Sequence, residues 1–96
     1  MKVTVDYLGH IKKLLEAESP EQIEIPKEAS IEDLLVKLVQ KYGKTFKNAI
    51  YKPGESDLKS NIILTVNGLL LNQLNGTSTK LKNDDKVTLM PIVSGG

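Results

Sequence analysis

The sequence predicts an α+β domain in which one amphipathic helix lies across one mixed sheet. Three observations carry this. Stretches with strand-like apolar patterning occur near both ends of the chain, one central segment bears a helical apolar stripe, and turn dipeptides separate them. The order reads strand, strand, helix, strand, short strand, strand. A two-layer core is the natural way for that order to bury a single helix face. The 96 residues leave room for one core, hence one domain.

Lys2 to Leu8 alternates: Val3, Val5 and Tyr7 fall on one face, Thr4 and Asp6 on the other, and Gly9 closes the strand. Glu21 to Ile25 is a shorter strand between Pro20 and Pro26, which do not suit central ladder positions. The connection from His10 to Ser19 is too long for a tight hairpin. Its Ile11, Leu14 and Leu15 predict a helical turn against the sheet edge. Ser30 is a good N-cap, and Asp33 supplies the carboxylate of a near capping box. Ile31, Leu34, Leu35, Leu38, Val39 and Tyr42 then form one stripe on a helix of about three turns. Gly43 sits where a left-handed C′ residue belongs. Phe46, Ile50 and Tyr51 predict a second short helix capping the core, followed by a Pro53-Gly54 turn. Asn61 to Val66 is apolar on both sides, which suits a covered strand. Asn67-Gly68 predicts a tight hairpin returning through Leu69 to Leu71. After turns at Asn75-Gly76 and Asn83 to Lys86, the last strand runs from Lys86 to Met90, with Val87 and Leu89 facing the core. Leu8, Met90 and Ile92 alternate away from that core, and an exposed apolar patch for a partner is expected there.

Composition narrows the chemistry. A net charge of +1, with 13 basic and 12 acidic side chains, implies no polyanion partner. Arginine, the residue that best forks guanine and phosphate, is absent, so no direct nucleic-acid role is expected. Cysteine is absent too, so this chain has no disulfide, thiolate metal site or thioester nucleophile. The N-terminus alternates polar and apolar residues, unlike a signal peptide, and the most apolar stretch is too short to span a bilayer. A cytoplasmic protein, monomeric on its own and without a membrane partner, is expected. His10 has no motif partner that would make it a base. Asp84-Asp85 reads as a turn and not as a metal site. No bound cofactor or metal is expected. The chain reads as a substrate or carrier for catalysis by another protein.

The sequence ends in Gly95-Gly96. Residues 1–92 are expected to form the domain and 93–96 a flexible tail. Glycine lacks Cβ, so its carbonyl is open to attack and its backbone fits a narrow channel. Six residues from Pro91 to Gly96 reach at most ~20 Å when extended, enough to enter a partner's buried site. The bland alternative is an ordinary frayed terminus.

The second half carries a resemblance. Ile63 to Gly68, Leu74-Asn75-Gly76, Thr79 to Val87 and Met90 to Gly96 are similar to a "VNG" hairpin, an "L-K-D-G-D-x-V" turn and a "PPVSGG" end. With the element order, this resembles the ubiquitin-like β-grasp sulfur carriers: MoaD, ThiS, the ubiquitin-related modifier and the small archaeal modifiers. Residues 44–60 lengthen one connection, as in archaeal MoaD-like chains. Two departures stand out: Ile92 replaces a common second proline, and Asn83-Asp84 replaces Asp-Gly. The resemblance implies a mixed sheet of four to five strands on one main helix. It also implies that a MoeB/ThiF-type activating enzyme uses ATP to adenylate the carboxylate of Gly96, with Gly95 as its slim neighbour. Leu8, Met90, Pro91, Ile92, Val93 and Ser94 would contact partners. In the MoaD branch the adenylate becomes a thiocarboxylate that donates sulfur to a molybdopterin precursor in a MoaE-like subunit. Other branches join the same carbonyl to target lysines or serve tRNA thiolation. The alternative from a different class is a plain β-grasp interaction domain with incidental glycines.

Overall fold

In a computed structural model, which describes residues 1–54 and 57–92, the last strand of the chain lies at the middle of the sheet. The strands are β1 (Lys2–Tyr7), β2 (Glu21–Glu24), β3 (Ile62–Val66), β4 (Leu69–Leu70) and β5 (Lys86–Pro91), in the spatial order β2-β1-β5-β3-β4. β1 and β5 run parallel, with Val5 opposite Val87 and Tyr7 opposite Leu89. The other three pairs are antiparallel. Side chains alternate across a strand. This register therefore aligns Val3, Val5 and Tyr7 with Val87, Leu89, Ile62, Leu64 and Val66 on one buried face.

Helix α2 (Ile31–Tyr42) covers that face with Ile31, Leu34, Leu35 and Leu38, each no more than 1% exposed. The Ser30 hydroxyl accepts from the Asp33 backbone N–H at 3.2 Å, and the Ser30 backbone N–H donates to the Asp33 carboxylate at 2.9 Å. The capping box is therefore complete and satisfies a helix-end donor that would otherwise lack a partner. Gly43 does take a positive φ, 70°, but its ψ of −149° lies outside the left-handed helical well. The chain does not simply stop there. The Gly43 N–H closes α2 on the Val39 carbonyl at 2.7 Å, and its own carbonyl accepts from Lys47 in α3 (Lys44–Ile50) at 3.2 Å. One glycine thus joins two helices with no intervening loop, in a conformation reserved for residues without Cβ.

Phe46 and Ile50 of α3 are fully buried, while Tyr51 is half-buried. In α1 (His10–Leu15), Ile11 and Leu15 pack inward, but Leu14 is half exposed, so the expected three-residue apolar face narrows to two. The Asn67-Gly68 hairpin forms as expected, with φ of 52° and 85° at its two corner residues.

A polar knot ties the layers together at one end. The buried Tyr7 hydroxyl donates to the Glu21 carboxylate at 2.6 Å, and Tyr42 donates to the same oxygen at 2.7 Å. The Lys41 ammonium meets the other oxygen at 2.8 Å. Burial would raise the Glu21 carboxyl, but the hydrogen bonds from Lys41, Tyr7 and Tyr42 outweigh it and hold the carboxyl below its usual range. Burial, reinforced by the Glu21 carboxylate, pushes the Tyr7 hydroxyl far up, so Tyr7 stays a neutral donor. The knot links β1, β2 and α2 with every partner satisfied, which is the condition under which buried polar groups stabilise a core.

Candidate functional site

The candidate site is the place where β5 leaves the sheet. Main-chain bonds along β5 alternate in direction: Ile92 donates to the Asn61 carbonyl on the β3 side at 2.7 Å, and the Leu89 carbonyl accepts from Leu8 on the β1 side at 3.0 Å. By that alternation Pro91 turns its nitrogen to the β1 side, beyond the last β1–β5 bond. A missing N–H costs no ladder bond there.

What lies on that side is Gly9, with φ 63° and ψ −145°. A Cβ on Gly9 would fall 2.9 Å from Pro91 Cγ and 3.2 Å from Cδ. The bare Cα of Gly9 lets the proline ring close onto the β1–α1 turn. Two local rules, a glycine-only conformation and a proline at a ladder end, thus fix where the chain departs.

The sheet face opposite α2 carries the expected patch, and it is wider than the alternation of β5 alone predicts. Leu8 is 40% exposed, Ile92 46%, and Met90 is half-buried. Ile63 lies directly across from Met90, and Leu70, 41% exposed, pairs with Thr65 on the same face. Sequence reading passed over Ile63 and Leu70. The signal was present: a two-residue Asn67-Gly68 hairpin sets the register that places Leu70 opposite Thr65. Pro91, expected among these contacts, pairs with Ile62 and so falls on the α2 side of the sheet, not on this patch. Val93, Ser94, Gly95 and Gly96, the remaining expected site residues, lie outside the described residues.

The two sequence motifs of the second half prove to be one structure. The Asn67 amide donates to the Asp85 carboxylate at 2.9 Å, and its carbonyl oxygen accepts from the Lys86 N–H at 2.9 Å. The other Asp85 oxygen accepts from the Lys82 N–H at 2.8 Å. The "VNG" hairpin and the turn before β5 therefore hold each other. Asp84 adopts φ 69°. That explains its standing where a glycine is usual, since a short polar side chain tolerates the left-handed region better than most.

His10 is exposed at the start of α1. Among the described residues no group of three His, Asp or Glu side chains is placed to hold a metal ion, and no helix is long and apolar enough to cross a membrane.

A five-stranded mixed sheet with its first and last strands parallel at the centre, crossed by one main helix, is the ubiquitin-like β-grasp. The model of the ThiS family matches residues 5–96, and the chain belongs to that family. Small archaeal modifier protein 1 from Methanosarcina acetivorans is 26% identical, with 99% of this chain and 96% of that chain covered and a TM-score of 0.76. A Pyrococcus furiosus protein, provisionally assigned as molybdopterin converting factor subunit 1, is also 26% identical over 97% and 99% of the two chains, with a TM-score of 0.72. CysO in its complex with BexX from Amycolatopsis orientalis is 22% identical over 98% and 99%, with a TM-score of 0.77. No curated protein matches the sequence. The resemblance to ubiquitin-like sulfur carriers therefore holds at the level of family and fold.

Proposed function

We propose that this chain is a ubiquitin-like sulfur carrier that is modified at the carboxylate of Gly96 by an activating enzyme of the MoeB/ThiF type. The observation that carries this reading is a family match running through the final Gly95-Gly96 pair, on a domain whose central strand, β5, ends at Pro91, a few residues before that pair in the sequence. The carboxylate oxygen attacks the α-phosphorus of ATP and pyrophosphate leaves. A sulfur nucleophile then attacks the acyl carbon, and AMP departs with the electron pair of the broken C–O bond. The thiocarboxylate so formed would serve a MoaE-like molybdopterin synthase subunit, which supplies the chemistry of sulfur insertion. ATP binds the activating enzyme, and this chain contributes the acyl group.

The patch of Leu8, Ile63, Leu70, Met90 and Ile92 gives the activating enzyme a body to hold while the tail enters its nucleotide site. Met90→Asp places a charge at the middle of that patch. It is expected to weaken binding of the activating enzyme by tenfold or more with the fold retained, read by titration calorimetry beside circular dichroism. Unchanged binding removes Met90 from the docking surface.

A second reading shares the first step. The likeness to small archaeal modifier protein 1 supports transfer of the same acyl group to a lysine amine of a target protein, forming an isopeptide bond. Intact mass spectrometry separates the readings. After incubation with a cognate activating enzyme, ATP and a sulfur donor, the carrier gains the mass of one oxygen exchanged for sulfur. Lysine conjugates in cells, without that product, favour the modifier. If neither appears, a plain β-grasp interaction domain is left.

A further inference from the structure

The β2 side of the sheet is an open edge. β2 stands last in the strand order and pairs only with β1. Met1 and Ile25 exchange both main-chain bonds: the Ile25 N–H donates to the Met1 carbonyl at 2.9 Å, and the Met1 nitrogen to the Ile25 carbonyl at 2.8 Å. Bonded pairs alternate along an antiparallel ladder, so Ile23 and Glu21 bond to β1 in the same way. Gln22 and Glu24 therefore aim their N–H and C=O groups outward, away from β1. An edge of this kind is a template for another strand.

One of those groups is covered, and by a side chain. The Lys37 ammonium of α2 donates to the Glu24 carbonyl. Among the described residues Lys37 has no carboxylate partner. At the seam of β2 and α2 lies a groove of about 330 Å³, lined by Ile23, Lys37, Leu38, Gln40 and Lys41. Its lining holds two lysines and no carboxylate. To reach β2 the aliphatic stem of Lys37 crosses this seam, over the apolar floor of Ile23 and Leu38. A neighbouring hollow shares Lys37 and Gln40 and adds Val36, which is 49% exposed.

We propose that the β2 edge docks an extended segment of a partner protein, one that alternates aliphatic with polar residues and carries a carboxylate beside Lys37. Lys37 is the latch. On docking, its ammonium exchanges the Glu24 carbonyl for the partner's carboxylate, a stronger acceptor. The freed carbonyl then accepts from a main-chain N–H of the partner. Main-chain bonds supply the affinity, aliphatic residues fill the seam, and the carboxylate selects the partner. A strand without a carboxylate leaves Lys37 on its carbonyl, so the edge stays guarded. A second copy of this chain is a poorer occupant, because joining two β2 edges brings Lys37 and Lys41 of both copies to one seam. The site is also remote from the tail. Gln22 and Glu24 stand opposite Thr4 and Lys2, whereas β5 ends beyond the Tyr7–Leu89 pair. Thr4 and Tyr7 are three strand residues, roughly 10 Å, apart. A partner can hold this edge while the end of β5 stays open to a second protein.

The test titrates the full, isotope-labelled chain with the end-blocked peptide Asp-Thr-Val-Thr-Ile-Thr-Asp, and with the same peptide carrying Lys for Asp. The acidic peptide is expected to shift the amides of Gln22, Glu24 and Lys37 and to leave those of Ile63 and Leu70 in place. It should bind about fivefold more tightly than the basic one, or better. Lys37→Met keeps the stem and removes the ammonium. It should narrow that preference about two- to fivefold, the factor an exposed pair is worth. Gln22→Pro removes an outward donor without touching the β1 ladder, and should abolish binding with the circular dichroism unchanged. If that variant does not fold, Lys37→Glu, at an exposed position, should turn the preference toward the basic peptide. Equal binding of the two peptides, no shift at millimolar peptide, or an unchanged preference in Lys37→Met overturns the proposal. So do edge amides that shift with protein concentration alone, the mark of a second copy. None of these measurements involves the tail, so their failure leaves the carrier reading standing.

Discussion

Deletion of Gly96 is expected to abolish ATP-dependent acyl-adenylate formation while leaving the melting curve nearly unchanged. The two halves of this result have separate physical causes. The fully and nearly buried apolar residues end at Leu89, and the last described main-chain bond is that of Ile92. The core therefore does not depend on the final residue. Reactivity is different. Without Gly96 the terminal carboxylate retreats by one residue, roughly 3.3–3.6 Å along an extended chain. Attack on phosphorus requires approach to about 3–3.5 Å, and an error of 1 Å can cost a hundredfold. Loss of at least that factor is expected in a pyrophosphate-release assay, with melting followed by circular dichroism. A shortened chain adenylated at the original rate would sink the carrier and modifier readings together.

Leu35→Ala is expected to cost about 2–5 kcal/mol in unfolding free energy by urea titration. Leu35 is 1% exposed and sits on the face of α2 that lies against the sheet. Its removal loses apolar burial and leaves a cavity that a close-packed two-layer core closes only in part. In a domain of this size, that is a large share of the whole stability. The result would be seen with the tail intact or absent. An unchanged midpoint would show that α2 turns another face to the sheet.

Much of this fold was legible because its elements obey local rules. Ser30 and Asp33 are spaced for a capping box, and the box forms. Asn67-Gly68 demands positive φ at both corners, and both adopt it. The strand faces follow from alternation in Val3 to Tyr7 and in Val87 to Leu89. What was not legible depends on distant pairs. Nothing local says that Tyr7, Glu21 and Tyr42 meet on one carboxylate. Leu14 has the spacing of a core residue but faces solvent: α1 packs on α3 and on the central strand β5, not on a sheet edge as expected, and only its Ile11 and Leu15 turn inward. The packing of Gly9 on Pro91 joins residues from opposite ends of the chain. Of the site, Leu8 could be read from the alternation of β1 and Met90 and Ile92 from that of β5, while Ile63 and Leu70 needed the sheet's register.

The central position of β5 also sets an order of events during synthesis. β1 pairs with β2, its next strand in the chain, across a connection that holds α1, and β3 pairs with β4 across the Asn67-Gly68 turn, so both halves of the sheet can form early. Each then carries an open edge toward the missing middle strand, the kind of edge that invites wrong partners. Pairing β5 with β1 joins the two ends of the chain, a contact that loop closure makes slow. Translation delivers that strand last of the five. On that order the ribosome delivers two unfinished half-sheets and then the wedge that unites them, and the Gly95-Gly96 pair, the proposed reactive end, follows it in the sequence. A nascent chain has no domain to present to an activating enzyme until the same few residues that close the sheet have emerged.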